Sequence, residues 1–214
     1  MAHRLWLKLI GISAFMWLFF LGYFHVLRNP SAPPTPMPTT PIDDWIVFQP
    51  GLLGAYISLW VYLGIAPGLL LGLRALIVYG LWAAALCAVG LACFYWWPTS
   101  VQPVSVDLQA HPGFAVLQGV DSTGNACPSL HVATAAFTAV WIDHLVRHIG
   151  APGALRALNV AWFVLIAYST LAIKQHVLLD AVAGLALGLA VAALSLRWRA
   201  AESPSKRSAY HSAP

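Results

Sequence analysis

The segment LRALNVAWFVLIAYSTLAIKQHVLLDAVAGLALGLAVAALSL, residues 155–196, decides the fold, because it contains two long apolar runs separated by a short polar turn. The runs cover 155–173 and 177–196, and each is close to the roughly 20 apolar residues that cross a membrane as a helix. Neither run alternates in polarity, as a strand of a membrane β-barrel does. The segment therefore predicts a hairpin of two membrane-spanning helices that turn at Lys174, Gln175 and His176.

The composition of the whole chain agrees with a membrane protein. Only 8% of the 214 residues are charged and 60% are hydrophobic, whereas a soluble domain carries about 25% charged residues. The net charge of +4 could indicate a nucleic-acid partner, but the basic residues lie at the ends of apolar runs, as membrane topology requires. We therefore expect the bilayer as partner and no nucleic acid, and no oligomeric state follows from the sequence.

Four further segments have the length and composition of membrane spans: 5–27, 52–73, 75–97 and 128–146. The first has a basic start, but its apolar stretch is longer than the roughly 7–15 residues of a signal-peptide core, and no clean cleavage site follows it. We therefore expect an all-α bundle of six transmembrane helices that forms a single domain, 1–214.

The distribution of Lys and Arg predicts the orientation of this bundle. With the N-terminus inside, only Arg28 and Lys174 lie on the outer side. The inner side then carries Arg4, Lys8, Arg74, Arg147, Arg156, Arg197, Arg199, Lys206 and Arg207. Cytoplasmic loops of membrane proteins are enriched in these residues, so both termini are predicted inside, in a membrane of the bacterial inner-membrane type.

Two segments outside the spans have distinct compositions. Residues 29–50 contain seven prolines, which predicts an extended polyproline-like outer loop with Trp45, Ile46 and Phe48 at the membrane interface. Residues 198–214 are predicted to form a disordered cytoplasmic tail. Within the spans, glycines at four-residue spacing predict close helix packing. These glycines are Gly64, Gly68 and Gly72 in one span and Gly184 and Gly188 in another.

Two of the eight histidines stand out because the predicted topology places both at outer ends of spans. His131 begins the fourth span, and His176 begins the sixth, with Asp180 four residues later. Positions i and i+4 share a helix face, so Asp180 can accept a hydrogen bond from one imidazole nitrogen and leave the other bare as a base or nucleophile. The same spacing also suits a purely helix-stabilising His–Asp pair.

The segment NACPSLHVATAAF, residues 125–137, adds a second group to this membrane face. Pro128 suits the first turn of a helix, where its missing N–H costs nothing. Ser129 and the following backbone N–H groups would then lie at the positive end of a helix, which favours anions. An anion site, a His–Asp pair and His131 are thus predicted at one membrane face.

Two stretches of the chain resemble motifs of the type 2 phosphatidic acid phosphatase superfamily. PSLH, residues 128–131, is similar to its Pro-Ser-x-His motif, and STLAIKQHVLLD, residues 169–180, to its motif of Ser-Arg, five residues, His, three residues and Asp. The resemblance implies that His176 is the nucleophile that forms a phosphohistidine, that Asp180 orients it, and that His131 protonates the leaving alkoxide. It implies phosphoryl binding by Ser129 and by the motif positions Ser169 and Thr170, without metal or cofactor.

The chain departs from that family at its cationic positions. A Lys, six residues, Arg-Pro motif is absent, and Thr170 replaces the motif arginine. Lys174 is the expected substitute for the missing phosphate-binding cations, with Arg28 a weaker one, and Leu130 stands where many members have glycine. The form of both motifs looks more like the branch with inositol phosphorylceramide synthases, in which an alcohol can accept the phosphoryl group.

The sequence leaves two alternatives to a lipid-phosphate phosphatase or phosphotransferase. One is a phosphatase of a polyprenyl pyrophosphate carrier. The other is a non-catalytic membrane protein in which His131, His176 and Asp180 hold a metal. The three cysteines form no disulfide framework, and Cys127, beside the Pro-Ser-x-His segment, would need a nearby base to become a reactive thiolate.

Overall fold

The computed structural model describes residues 2–102, 114 and 124–201 of the chain. Its longer helices are α1 (Ala2–Arg28), α4 (Leu59–Leu69), α5 (Leu73–Trp96), α6 (Leu130–His148), α7 (Gly153–Ala172) and α8 (Leu178–Ala201). The shorter elements are β1 (Thr35–Pro36), α2 (Pro41–Trp45), a 3₁₀ turn (Pro50–Leu52), α3 (Leu53–Ile57) and β2 (Thr99–Ser100). The protein is therefore mostly helical, as the sequence predicts.

Five segments of the described chain are long and apolar enough to cross a membrane. They are Lys8–Arg28, Pro50–Leu69, Leu73–Trp96, Gly153–Ala172 and Leu178–Trp198. The remaining predicted span, the fourth at 128–146, corresponds to α6, which is a 19-residue helix but is more polar than these five. Because α6 packs against α8, α7, α4 and α5, much of its surface faces protein. The count of six spans and the inward orientation of both termini stay predictions.

Helix α6 lies at the centre of the bundle. Its side chains Phe137, Thr138 and Trp141 are buried against the neighbouring helices. The Thr138 hydroxyl lies 3.3 Å from the Tyr79 hydroxyl of α5. The indole of Trp141 donates to Ser195 of α8 at 3.0 Å. A polar group inside an apolar bundle must find such a partner, so these bonds fix how the helices are rotated against one another.

The sequence predicted an extended proline-rich loop, but the structure contains a short strand and a short helix there. Its residues 35–36 pair in parallel with 99–100 of the next outer loop, and residues 41–45 form α2. Pro41 occupies the first helical turn, and the Asp43 carboxylate accepts a hydrogen bond from the Thr40 backbone N–H at 2.8 Å. This capping arrangement offsets the lack of helical periodicity in the loop.

The aromatic and apolar residues of this loop divide between two environments. Trp45 is 79% exposed, which fits a side chain at the membrane interface. The Phe48 ring lies 5.3 Å from that of Phe114, and Phe48 packs with Tyr56 and Ile173. Phe48 is half-buried, because α3 and the α7–α8 turn provide an apolar contact inside the protein, and its place at the membrane interface stays a prediction.

The two glycine series differ in their packing. A Cβ at Gly184 would lie 2.3 Å from the Ser129 carbonyl oxygen, and one at Gly188 would lie 2.3 Å from the Ala133 carbonyl oxygen. Close packing of α8 on α6 is confirmed at these positions. Gly64 and Gly68 have no described atom within 4 Å of such a Cβ, so the close packing predicted for that series is not found within the described chain.

The rest of the predicted outer loop and tail lies outside the described residues, at 103–113, 115–123 and 202–214. Helix α8 reaches Ala201, beyond the start of the predicted disordered tail at residue 198.

Candidate active site

The turn between α7 and α8 places His176 at the start of α8. Helix α7 ends at Ala172, and Lys174 adopts a φ of 60°. The backbone N–H groups of Gln175 and His176 both donate to the Thr170 carbonyl, at 3.0 and 3.1 Å. This reversal directs the chain back into the bundle and leaves the His176 side chain 8% exposed.

The predicted His176–Asp180 pair is present, but without the expected hydrogen bond. The Nδ1 atom of His176 lies 3.5 Å from Oδ2 of Asp180, which is an ion-pair distance. Oδ2 instead accepts from the Val177 backbone N–H at 3.1 Å, because Asp180 also caps α8. The His176 Nδ1 and Asp180 Oδ1 atoms are both buried without a hydrogen-bond partner. Catalytic contacts are often this long before substrate binds.

His131 lies in the first turn of α6 and faces the same place. The Ser129 hydroxyl accepts from the Val132 N–H at 3.3 Å and so begins α6, while the Ser129 N–H donates to the Asp180 carbonyl at 3.0 Å. These contacts join the starts of α6 and α8. The rings of His131 and His176 are consequently 5.7 Å apart, centroid to centroid.

Tyr56 supports His131 from α3, a contact that no sequence motif indicated. The two rings stack with centroids 4.5 Å apart, and the Tyr56 hydroxyl lies 3.4 Å from Nδ1 of His131. A hydrogen-bond partner at Nδ1 favours an orientation of the imidazole ring in which Nε2 is directed away from the Tyr56 hydroxyl.

Both histidines line one cleft of about 780 Å³ including its open mouth. The polar part of its wall near the histidines comes from Gly124, Asn125, Thr134 and Gln175. The remainder is apolar and largely aromatic: Phe15, Met16, Phe19, Phe20, Tyr23, Leu59, Trp60, Leu63, Cys87, Phe94 and Leu130. The cleft thus extends from two imidazoles into the apolar part of the bundle, between α1, α4 and α5.

The substrate-binding residues predicted from the motifs lie behind the cleft wall. Ser129, Ser169 and Thr170 are fully buried. The hydroxyl of Ser169 donates to the Ile166 carbonyl at 2.7 Å, and that of Thr170 to the Ala167 carbonyl at 2.8 Å. In this geometry Ser129 connects helices, and the hydroxyls of Ser169 and Thr170 bond back to carbonyls within α7.

Lys174 is directed to the proline-rich loop, residues 29–50. Its ammonium donates to the backbone carbonyls of Asp43, at 2.9 Å, and Ile46. The buried Asp43 carboxylate in turn accepts from the Leu178 N–H of α8 at 2.7 Å. Hydrogen bonds therefore join the proline-rich loop to the α7–α8 turn on both sides of His176. The Thr-x-x-Asp pattern at 40–43 was the sequence signal for Asp43, since it marks a capping box.

Leu130, at the position where many relatives of the motif have glycine, fills a gap beside the site. A Cβ at Gly90 of α5 would lie 2.4 Å from the Leu130 Cδ2 atom, so the two residues have complementary sizes. Cys127 next to the motif is half-buried, and burial, with the neighbouring Asp180 carboxylate, raises its pKa to about 11. Its thiol is therefore protonated at neutral pH and is not a nucleophile.

The described side chains do not assemble the alternative metal centre. No group of three or more His, Cys, Asp or Glu residues within the described ranges is arranged to hold a metal. The described chain brings together His131, His176 and Asp180, with Gln175 and Asn125 as further polar groups.

The apolar helices and the paired histidines define a polytopic membrane protein with a polar site at one end of its bundle. The family model of the PAP2 superfamily matches residues 11–204, and the chain belongs to that superfamily. Membership indicates a phosphatase or phosphotransferase that acts on lipid phosphates. No curated protein and no solved structure matches the chain.

Proposed function

We propose that the protein transfers the phosphoryl group of a lipid phosphoester through a phosphohistidine at His176. The observation that carries the proposal is the pair of imidazoles 5.7 Å apart at the wall of a cleft that continues into an apolar, aromatic region. A lipid phosphoester has the same two parts, a charged phosphoryl group beside hydrocarbon chains. The site residues are assigned on this basis.

The roles follow from the surroundings of each histidine. Nδ1 of His176 faces Asp180, so Nε2 is the nitrogen that attacks phosphorus. The Asp180 carboxylate stabilises the positive charge that the imidazole gains in the attack. His131, as an imidazolium, donates a proton to the leaving oxygen, and in the second step it accepts the proton of the incoming hydroxyl.

The acceptor is proposed from the motif form. PSLH and the KQH…D run resemble the inositol phosphorylceramide synthase-like branch, in which an alcohol rather than water takes the phosphoryl group. We place the site at the outer face of a bacterial-type inner membrane, from the distribution of Lys and Arg. Reporter fusions near residues 110 and 152 should then read as external and cytoplasmic, respectively, and the reverse pattern would reject this orientation.

Purified protein in detergent with EDTA is expected to turn over a lipid phosphoester, measured by mass spectrometry of the lipid and of any alcohol adduct. His176→Ala and His131→Ala should each lower kcat by at least about 100-fold, as loss of a nucleophile or of a general acid does. His148→Ala, an exposed histidine at the other end of α6, is the matched control and should leave kcat unchanged. Full activity in His176→Ala would reject the assignment.

A further inference from the structure

The charge on the predicted outer side of this chain is unusual for a site that binds phosphate. Only Arg28 and Lys174 lie on that side, whereas five of the seven acidic residues do: Asp43, Asp44, Asp107, Asp121 and Asp180. The whole outer segment 98–126, including the part that the structure does not describe, contains no Lys or Arg. It therefore cannot supply a Lys or Arg side chain to the site.

Neither of the two outer cations is placed in the cleft. The Lys174 ammonium is bound by the carbonyls of Asp43 and Ile46 on the far side of the turn. Arg28 is exposed at the end of α1, where its guanidinium lies 5.5 Å from the centre of the Phe24 ring. Among the described residues that line the cleft there is no Lys or Arg.

Apart from His131 and His176, the polar side chains that line the cleft are neutral amides and a hydroxyl. Gln175 lies directly before His176, and Asn125 donates its side-chain N–H to the Tyr23 carbonyl at 3.3 Å. Below His176 the only described charge is the buried Asp180 carboxylate, which is negative. Amide N–H groups can bind phosphoryl oxygens, but they do not neutralise a net charge as Arg or Lys does.

Phosphate esters differ in the charge that such a site must accept. A monoester carries about −1.5 to −2 at pH 7, because its second pKa is near 6. A diester has no second ionisable oxygen and carries a single charge. Every additional negative charge placed beside Asp180 in a low-dielectric site is unfavourable.

We propose that this site selects a lipid phosphodiester, with one negative charge, over lipid phosphomonoesters and pyrophosphates. This inference rests on the proposed function and narrows its substrate class. In the first step a bond forms between His176 Nε2 and phosphorus, the P–O bond to one alcohol breaks, and His131 gives that oxygen its proton. In the second step an acceptor hydroxyl attacks phosphorus and gives its proton to His131, and the bond to His176 breaks.

The test compares three purified lipids of different charge at pH 7.5 in EDTA. Phosphatidylglycerol is the diester, phosphatidic acid with the same acyl chains is the monoester, and a polyprenyl pyrophosphate carries the highest charge. We expect kcat/KM to be at least about tenfold higher for the diester than for the other two. Faster turnover of the monoester or pyrophosphate would overturn this inference alone. No turnover of any lipid would overturn the proposed function and this inference with it.

A variant with an added positive charge in the cleft tests the preference for the diester in a second way. Gln175→Lys introduces a cation into the cleft wall beside His176 and should raise kcat/KM for phosphatidic acid relative to phosphatidylglycerol by about tenfold. Gln102→Lys is the matched control, because Gln102 is an exposed residue of the same predicted outer side and does not line the cleft. An unchanged ratio in Gln175→Lys, in protein that elutes as wild type from a sizing column, would contradict the charge argument.

Discussion

Substituting Gly184 by alanine tests whether the contact between α6 and α8 sets the distance between the two histidines. The added Cβ would lie 2.3 Å from the Ser129 carbonyl oxygen and 3.1 Å from its carbonyl carbon. An ordinary contact needs about 3.5 Å, so the helix starts must separate by roughly 1 Å. The atoms in the way are backbone, which cannot rotate aside, and overpacking of this kind costs about 1–3 kcal/mol.

The consequence for activity is larger than that for stability. Ser129 begins the helix that carries His131, and its N–H is bonded to the Asp180 carbonyl beside His176. A displacement of about 1 Å between reacting groups can lower a rate on the order of 100-fold. Gly184→Ala should therefore lose most of kcat while its Tm falls by only several degrees, measured by lipid turnover and by thermal unfolding in detergent.

Two further variants separate the local effect from a general one. Gly80→Ala, in α5 with no described atom within 4 Å of the new Cβ, should keep wild-type kcat and be equally or slightly more stable, since alanine favours helices by about 1 kcal/mol. Gly188→Ala meets the Ala133 carbonyl oxygen at 2.3 Å, one turn farther from the histidines, and should lower Tm as much as Gly184→Ala but kcat less. Wild-type Tm and kcat in Gly184→Ala would refute the reasoning.

Three other outcomes follow from the packing and charge of the site. Asp43→Ala should lower kcat several-fold and Tm by a few degrees, because the Leu178 N–H at the start of α8 loses a side-chain acceptor worth about 1 kcal/mol. Turnover and thermal unfolding measure the two effects, and an unchanged Tm would contradict the capping role. Gly90→Ala should lower Tm modestly through its clash with Leu130, and adding Leu130→Ala should recover part of that loss. Strictly additive losses of Tm in the double variant would show that the two residues do not interact. Cys127→Ser should keep full kcat at pH 7, since burial raises the pKa of the thiol to about 11, and a large loss would point to a role for the sulfur.

The residues that could be predicted as a site are those whose chemistry is unusual in an apolar chain. His131, His176 and Asp180 stand at the ends of hydrophobic runs, where a polar side chain is costly and therefore conspicuous. The number of spans between them predicted that they meet at one membrane face. The structure places the two imidazoles 5.7 Å apart. The His–Asp spacing was also visible, but the 3.5 Å separation was not, because it depends on the use of Asp180 as the cap of α8.

The residues whose contacts could not be predicted from the sequence are polar groups with several possible partners. Ser169 and Thr170 match a phosphate-binding motif, yet each hydroxyl bonds to a carbonyl within its own helix. Lys174 lies two residues from His176, yet its flexible side chain reaches the carbonyls of Asp43 and Ile46. Sequence spacing fixes where such a side chain starts, whereas the nearest acceptors in space fix where it ends.

The sequence by itself determined that this chain is a helical membrane protein with two histidines at the ends of apolar runs. It could do so because hydrophobicity and helix period are local properties of the residues. Only the tertiary structure decided which residues line the cleft. Gln175 and Asn125 line the cleft, while Ser129, Ser169 and Thr170 lie behind its wall. That choice depends on how α6, α7 and α8 are rotated and how closely Gly184 and Gly188 let them approach, which is a property of contacts between residues distant in the chain.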